Sequence, residues 1–455
     1  MKSKLSLFSL VMLIVASIDS IRTLPSTAFF GSSLVGYFLL AALLFLFPIS
    51  FISAEFSSRD PTEGGVFHWM RRAFGEKMGV LAVWLQWINT MVWYPTMLLF
   101  IAGTVAHLVD PALSGNKIFL LFTVLATFWG LTLLNLRGIQ VSARVNAFCG
   151  IVGTLLPMAV LICLGTWWLF SKGVSAISFS WETILPSGGD SASALITIMA
   201  SLVGMELAGV YVKDIENPQK NFPKAIGYAV LILLSTLMLG ALSVAVVIPH
   251  DEIRFVDGVM QTFTTFFHAF HIPFLVPVLA FLIILGSVGG SINWLLSPAQ
   301  GLLQVAEFGF LPKVFQTQNK NGAPVSILIG QAVVVSVFCL AIQFMPSINS
   351  CYWFLMALST SLYMLMYILL FVGALKLGRP LDADAYQIPR SFRTLSCIAG
   401  VIGCFLTLWI GFQPPAGVVI DHHWTYVGQI AMGFLALLAP VMLLWLYKRR
   451  EYQKA

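Results

Sequence analysis

The chain has 455 residues, of which 58% are hydrophobic and only 10% are charged. A soluble domain of this length would carry far more charge, so the composition indicates an all-α, polytopic membrane protein. The net charge of +6 is spread between apolar stretches and forms no basic domain face, so we expect no nucleic-acid partner.

Apolar stretches of about 18 residues or more recur along the whole chain, and this length predicts membrane-spanning helices. Counting them predicts twelve transmembrane helices. Their approximate bounds are 5–30, 34–54, 79–103, 117–134, 144–170, 191–212, 225–248, 273–297, 324–343, 351–375, 394–412 and 425–447. The first stretch is too long for a cleaved signal peptide, and Asp19 and Arg22 interrupt it, so we expect it to remain as a span.

Two of the predicted spans carry charged residues beside helix breakers. The first span contains Asp19, Arg22 and Pro25, and the sixth contains Gly204 and Glu206. A charge at membrane depth costs roughly 2.5–3.5 kcal/mol on insertion scales and usually marks a pathway or a binding site. Lipid cannot satisfy the backbone groups that a break frees, so the broken segments must line a protein-enclosed cavity. Both helices are therefore predicted to be unwound at a binding site.

The spacing of the two breaks indicates how the chain is organised. Asp19 and Glu206 are 187 residues apart, and five spans separate each break from its counterpart. An odd number of spans per repeat inverts the second copy, so the spacing predicts a five-plus-five inverted repeat. We assign residues 1–375 to an inverted-repeat transport core of spans one to ten. Residues 376–455 then hold spans eleven and twelve and a short cytoplasmic tail.

Lysine and arginine fall almost entirely on one side of this topology. The N-terminus, the even-numbered loops and the C-terminal tail hold 21 of the 25, whereas the odd-numbered loops hold only Lys117, Lys172 and Arg254. Cytoplasmic loops carry the excess of basic residues, so both termini are predicted to be cytoplasmic.

Three loops mix charged or polar residues with apolar ones, at 55–78, 260–272 and 300–323. This pattern predicts short amphipathic helices that lie at the membrane interface.

Several classes of activity are disfavoured by the residues present. The six cysteines are scattered through predicted spans with no Cys-x-x-Cys pair, so we expect no metal site and no cofactor. The chain has no Walker-type phosphate loop, which disfavours ATP-driven pumping. No paired base and nucleophile emerge, and we therefore do not expect an enzyme.

Three loop signatures, in order, follow spans two, six and eight. They read AEFSSRDPTEGGVFHW at 54–69, DIENPQKNFPKA at 214–225, and LSPAQGLL at 296–303 with GFLPK at 309–313. Together they resemble the amino acid–polyamine–organocation permeases, and spans one and six look most like the bacterial glutamate/γ-aminobutyrate antiporter branch. The resemblance implies a leucine-transporter-type fold in a bacterial inner (cytoplasmic) membrane.

The same resemblance implies a secondary active amino acid transporter, an antiporter that works by alternating access. Its partners would be an amino acid substrate, the lipid bilayer and, for coupling, protons. Two alternatives stay open, which are a proton-coupled amino acid symporter and a transport-inactive membrane sensor with the same fold.

In such permeases the substrate carboxylate lies near the break in span one and the amine near the break in span six. Helix ends favour this arrangement, because free amides attract a carboxylate and free carbonyls attract an ammonium group. The candidate substrate-binding residues are Ile18, Asp19, Ser20, Arg22, Thr23, Gly204, Met205, Glu206 and Trp93. Glu206 matches the span-six glutamate of related antiporters, and Glu206 and Asp19 are the candidate coupling residues.

Each candidate also has a simpler interpretation. Asp19 and Arg22 are three residues apart, so on a helix they could neutralise each other, whereas an unpaired Arg22 would suit a substrate carboxylate. Glu206 either forms hydrogen bonds with its own broken helix or, if unpaired, must bind a proton or a cationic amine. Trp93 either gates the cavity or packs between helices.

Overall fold

The computed structural model describes residues 5–59, 65–137, 148–173, 175–186, 192–344, 347–378, 386–414 and 423–452. Over these ranges the regular structure is helical, and the extended pairs are two isolated bridges, Leu5–Ile215 and Gln318–Pro324. The all-α prediction is confirmed for this part of the chain.

The α-helices that the structure describes are numbered here in chain order. They are α1 Leu7–Ile18, α2 Leu24–Ala28, α3 Ser33–Ala41, α4 Phe47–Arg59, α5 Val66–Phe74, α6 Glu76–Val109, α7 Lys117–Asn135, α8 Leu156–Lys172, α9 Trp181–Ile184, α10 Ala194–Leu202, α11 Pro218–Val247, α12 Gly258–Ala269, α13 Val276–Glu307, α14 Val325–Phe344, α15 Ile348–Leu377, α16 Arg390–Gly411 and α17 His423–Tyr452. A π-helical turn, Ala42–Leu46, joins α3 to α4, and another, Ile151–Leu155, precedes α8.

Ten helical segments in the described ranges are long and apolar enough to cross a membrane. They are Leu7–Ala28, Ser33–Arg59, Glu76–Val109, Lys117–Asn135, Phe148–Lys172, Pro218–Val247, Pro273–Glu307, Ser350–Leu377, Arg390–Gly411 and His423–Leu444. The sixth and ninth predicted spans correspond to shorter apolar helices, Ala194–Gly209 and Val325–Leu340. Each predicted span therefore has a helical counterpart, although two of them fall below the spanning length.

The third and tenth predicted spans form the centre of the bundle. The most apolar windows of Glu76–Val109 and Ser350–Leu377 are 72% and 78% buried against other helices, whereas that of His423–Leu444 is 11% buried. The last helix is therefore peripheral, and its apolar surface suits contact with lipid.

The backbone of the π-helical turn before α8 packs directly against the backbone of α13. A Cβ atom built on Gly153 would lie 2.2 Å from the backbone nitrogen of Gly286, and one on Gly289 would lie 2.1 Å from the Cβ of Cys149. Only glycine permits so close an approach, and close small-residue packing is a common way to join helices in membranes.

The N-terminus is tied to the segment that follows the sixth span. The backbone N–H of Glu216 donates a hydrogen bond of 3.1 Å to the carbonyl of Leu5, and Leu5 and Ile215 form a parallel bridge. These two parts of the chain therefore lie at the same end of the bundle.

Two of the three predicted segments form short amphipathic helices, namely α5 in loop 55–78 and α12 in segment 260–272, and their position at the membrane interface stays a prediction. The prediction for loop 300–323 is wrong. There α13 continues to Glu307, and a short 3₁₀ turn, Lys313–Gln316, follows it. Leu302, Leu303 and Val305 are buried against neighbouring helices, so they extend the spanning helix instead of forming a separate surface helix.

Candidate functional site

The first span is broken where its polar residues and Pro25 predict. Helix α1 ends at Ile18, and Asp19 and Ser20 are extended, with ψ angles of 120° and 112°. A 3₁₀ turn, Ile21–Thr23, then leads into α2, with Pro25 in its first turn, where proline is well tolerated. The predicted unwinding of the first span is confirmed.

The sixth span is broken in the same way. Helix α10 ends at Leu202, Val203 is extended, and Gly204 adopts a φ of +115° before the 3₁₀ helix Met205–Asp214. The N–H of Gly204 donates a 2.8 Å hydrogen bond to the hydroxyl of Tyr367. A left-handed conformation of this kind strongly favours glycine, so Gly204 accounts for the position of the break.

We expect Gly204→Ala to lower the free energy of unfolding by about 1–3 kcal/mol, because alanine is strained at this φ. Its Cβ would also lie 3.1 Å from Trp294 and 3.3 Å from Ile18. The melting temperature of the purified protein in detergent measures the effect. Gly227→Ala is the matched control, because Gly227 lies within α11 with open space around it. Equal melting temperatures for the two variants would contradict the strain argument.

A cavity lies between the two breaks. It is lined by Ala16, Ser17, Ile18, Asp19, Ser20, Ile21, Arg22, Thr23, Asn89, Trp93, Met97, Thr154, Ala200, Ser201, Val203, Gly286, Ser287, Gly290, Trp294, Ser359, Thr360 and Tyr363. Two of these residues, Asp19 and Arg22, carry formal charges.

Six of the nine predicted binding residues line this cavity. They are Ile18, Asp19, Ser20, Arg22, Thr23 and Trp93. The other three, Gly204, Met205 and Glu206, are not among the lining residues, and Val203 is the residue of the second break that reaches the cavity. The ring centres of Trp93 and Trp294 are 5.1 Å apart, so Trp93 contributes both to the cavity wall and to the packing of α6 against α13.

Arg22 is buried, with 2% of its surface exposed. Its Nη1 donates hydrogen bonds of 3.1 Å to Thr96 Oγ1 of α6 and to the hydroxyl of Tyr352 of α15. The guanidinium carbon lies 5.0 Å from the centre of the Trp93 ring, a cation–π distance. These neutral contacts orient the guanidinium group and leave its charge uncompensated.

Asp19 lies in the extended segment that precedes the 3₁₀ turn holding Arg22. Its Oδ2 accepts a 3.0 Å hydrogen bond from Thr236 of α11, and its buried Oδ1 has no hydrogen-bond partner in the described structure. Asp19 and Arg22 are both described and form no ion pair within 4.0 Å. The backbone is extended at Asp19 and Ser20, so the three-residue spacing does not bring the two side chains together as a helix would. Mutual neutralisation, one of the two alternatives above, is therefore not observed.

Glu206 is fully buried behind Tyr363, which separates it from the cavity. Its Oε1 accepts hydrogen bonds from the Tyr363 hydroxyl and, at 3.2 Å, from Gln86 Nε2. Its Oε2 accepts a 2.6 Å hydrogen bond from the Tyr367 hydroxyl. No cation lies within ion-pair distance of Glu206 in the part of the chain that is described. The carboxyl group thus joins the broken sixth span to α6 and α15 through neutral donors.

Aromatic rings cover the end of the cavity next to Arg22. Phe255 packs 6.1 Å from Tyr352, 5.7 Å from Trp353 and 5.6 Å from Phe29, measured between ring centres. Tyr352 itself contacts Arg22, so the loop that carries Phe255 packs on a residue that orients the guanidinium group.

An ion pair holds this covering loop. Arg254 Nη1 lies 3.0 Å from Asp257 Oδ2, and Asp257 is buried at the start of α12. Burial raises the pKa of Asp257, and the positive charges of Arg254 and His107 partly oppose that shift.

A raised pKa means that the folded protein holds this proton more tightly than the unfolded chain does. The stability due to Asp257 is therefore lost as pH rises from the unfolded value of about 3.9 through the raised folded value. We expect Asp257→Asn to remove this dependence, so that its melting temperature relative to wild type is higher at pH 7.5 than at about pH 4, near the unfolded pKa. Glu252→Gln, an exposed change in the same loop, is the control. A difference that does not change with pH would contradict the prediction.

A sequence model of the amino acid permease family matches residues 5–437. The chain belongs to the amino acid permease family. The family match confirms the resemblance drawn from the three loop signatures, and it makes the chain a multi-pass membrane transport protein.

Several relatives match this permease over nearly their whole length. An uncharacterised transporter of Legionella pneumophila is 38% identical, over 99% of this chain and 97% of its own. A glutamate/γ-aminobutyrate antiporter of Lactococcus lactis is 27% identical, over 99% and 92%. A probable agmatine/putrescine antiporter of the same species is 24% identical, over 90% and 85%.

The residues of the permease site that sequence reasoning missed lie on unbroken helices. They include Asn89 and Thr96 on α6, Trp294 on α13, and Tyr352 and Tyr363 on α15. Trp294 Nε1 donates a 2.6 Å hydrogen bond to the carbonyl of Ser17, at the end of α1. The available signal was weak, because it consisted of single polar or aromatic side chains within long helices. Even Pro95, which precedes Thr96, lies inside α6 without ending the helix.

Proposed function

We propose that this permease is a secondary active amino acid antiporter that works by alternating access. The observation that carries the proposal is the cavity at the two helix breaks, where Asp19 and Arg22 are buried without pairing to each other. A free α-amino acid carries the complementary charges, so its carboxylate would meet Arg22 and its ammonium group Asp19. The relatives named as antiporters support exchange as the mode of transport.

In this proposal the first ten of the twelve helical segments form a five-plus-five inverted repeat of the leucine-transporter type, and spans eleven and twelve are added to it. Two broken helices in corresponding positions, with a cavity between them, support this arrangement. The substrate site comprises Ile18, Asp19, Ser20, Arg22, Thr23 and Trp93. Gly204, Met205 and Glu206 would act on it from behind the cavity wall, and Glu206 and Asp19 would couple transport to protons.

Counterflow in proteoliposomes tests the proposal. Vesicles are loaded with one unlabelled amino acid, and uptake of the labelled amino acid is measured against empty vesicles and against vesicles without protein. Glutamate and γ-aminobutyrate are the first pair to test, because relatives carry those names. An antiporter accumulates label only in loaded vesicles, whereas accumulation in empty vesicles under an inward proton gradient would identify a symporter.

The symporter is the second candidate, and the unpartnered Oδ1 of Asp19 favours it, because a buried carboxylate without a cation is a natural proton site. Binding of amino acids without any uptake would instead identify a transport-inactive sensor. A thermal-shift screen of the same compounds separates that outcome from a protein that does not bind them.

We predict that both termini face the cytoplasm of a bacterial inner membrane, because 21 basic residues lie on that side of the topology and three on the other. A green fluorescent protein fused after Ala455 should fluoresce. Alkaline phosphatase should be active when fused after Gly115, in the exposed turn between α6 and α7. The reverse pattern would overturn the orientation.

A further inference from the structure

A second pocket lies at the end of the bundle that holds the N-terminus, between α4, α5 and the end of α15. Its wall combines basic and aromatic side chains, namely Arg59, His68, Arg71, Arg72, Phe56 and Trp69. None of these residues lines the cavity between the helix breaks. The pocket is therefore a separate site with a different chemistry.

Positive charge exceeds negative charge around this basic pocket in the described residues. Glu55 is shared by two arginines, because its Oε1 lies 2.8 Å from Arg393 Nε and 3.6 Å from Arg59 Nη2. The guanidinium groups of Arg72 and Arg393 are also close enough to Arg59 to repel it electrostatically. Among the described residues, Glu55 is thus the carboxylate shared by Arg59 and Arg393, and an additional anion near Arg59 would relieve the repulsion between these like charges.

The unsatisfied groups at the pocket are hydrogen-bond donors. Arg59 Nε and Trp69 Nε1 are buried and have no partner in the described part of the protein. The Trp69 ring stacks on Phe56, with ring centres 5.2 Å apart, so the indole is held in place. Guanidinium and indole groups only donate, and their natural partner is a ligand rich in acceptor oxygens, as a phosphate is.

The position of the pocket indicates where such a phosphate comes from. Helix α5 buries Val66, Phe67 and Met70 against the protein, whereas Arg72 stays exposed. A short amphipathic helix of this kind lies at the level of the lipid headgroups. Basic pockets between helices at this depth bind the headgroups of anionic lipids.

We propose that the basic pocket binds an anionic phosphate group and that the headgroup of an anionic phospholipid supplies it. The phosphate would contact α4 through Arg59 and α5 through Arg71 and Arg72. It would join the second span to the helix at the membrane surface. The site requires neither a substrate in the central cavity nor any particular mode of transport.

Lipid titration of the purified full-length protein in detergent tests the proposal. Dioleoyl phosphatidylglycerol should raise the melting temperature in a saturable manner, and dioleoyl phosphatidylcholine should not. The double change Arg71→Gln and Arg72→Gln should weaken the apparent affinity for phosphatidylglycerol about tenfold or more. The matched control is Lys77→Gln with Lys320→Gln, which removes two exposed positive charges at the same end of the protein and outside the pocket.

Three outcomes would overturn the proposal. They are an equal response to both lipids, an equal loss of affinity in the pocket and control variants, and a shift of the same size with inorganic phosphate at the same concentration. The last outcome would assign the site to a soluble anion instead of a lipid. If the double variant does not fold, Arg72→Gln alone decides, because Arg72 is exposed and its replacement should still weaken lipid binding several-fold.

Discussion

Replacing Arg22 with alanine is expected to abolish measurable exchange and to weaken substrate binding about 100-fold or more. Removing one partner of a buried charged contact costs about 2–5 kcal/mol, since the other partner is left unpaired. Arg22 is the positive charge among the residues that line the cavity, so the substrate carboxylate would face the uncompensated Asp19 instead. Substrates with a second carboxylate should lose more affinity than simple zwitterions. Arg22→Lys should restore little if the contact is bidentate.

Thermal-shift binding and proteoliposome exchange measure this effect, with the melting temperature of each unliganded variant as a check on folding. Arg390→Ala is the control, because it removes an exposed arginine at the start of α16 that lies outside the cavity and outside the covering loop. Tyr352→Phe and Thr96→Val keep the guanidinium group and each remove one of its hydrogen bonds, so their losses should be smaller. Unchanged substrate binding in a folded Arg22→Ala variant would contradict the binding role of Arg22.

Replacing Glu206 with glutamine is expected to leave exchange in place and to flatten its pH dependence. Glutamine has the shape of the neutral, protonated carboxyl group and can never release a proton. Its carbonyl can still accept from Tyr367 or Tyr363, and a tyrosine hydroxyl can rotate to accept from the new amide. The network around the sixth span should therefore persist while its ability to titrate is lost.

Exchange measured from about pH 5 to 8 tests the role of Glu206, since coupling groups of this kind must titrate within the working range. Glu76→Gln, which changes an exposed acidic residue at the start of α6, is the control and should keep the wild-type profile. A wild-type profile in Glu206→Gln would remove Glu206 from the coupling step and would make Asp19 the remaining candidate.

Local residue chemistry was sufficient to predict both helix breaks. Pro25 and the polar residues around Asp19 disfavour continuous helix in the first span, and Gly204 supplies the left-handed conformation in the sixth. Such signals are readable because each one acts within a few residues of the chain. The twelve apolar stretches were found for the same reason, because a spanning helix is a local property of length and composition.

Contacts between distant parts of the chain were not predictable in this way. The partners of Glu206 lie 120, 157 and 161 residues away, at Gln86, Tyr363 and Tyr367. No local pattern relates these positions, because they meet only once α6 and α15 pack beside the broken span. The prediction of a separate surface helix at 300–323 was wrong for a related reason. Its apolar residues continue α13 and are buried against neighbouring helices. Which helices lie beside them cannot be read from the local sequence pattern.

The backbone pairing of Leu5 with Ile215 has a practical consequence for handling the protein. It joins the start of the first helical segment to the end of the sixth, so movements of the two segments during transport would be linked. A purification tag joined directly to the N-terminus would act on this contact, and deleting the chain through Leu5 would remove it. Deleting residues 1–5, which removes the Leu5 carbonyl that accepts the hydrogen bond from Glu216, should therefore slow turnover more than it lowers the melting temperature.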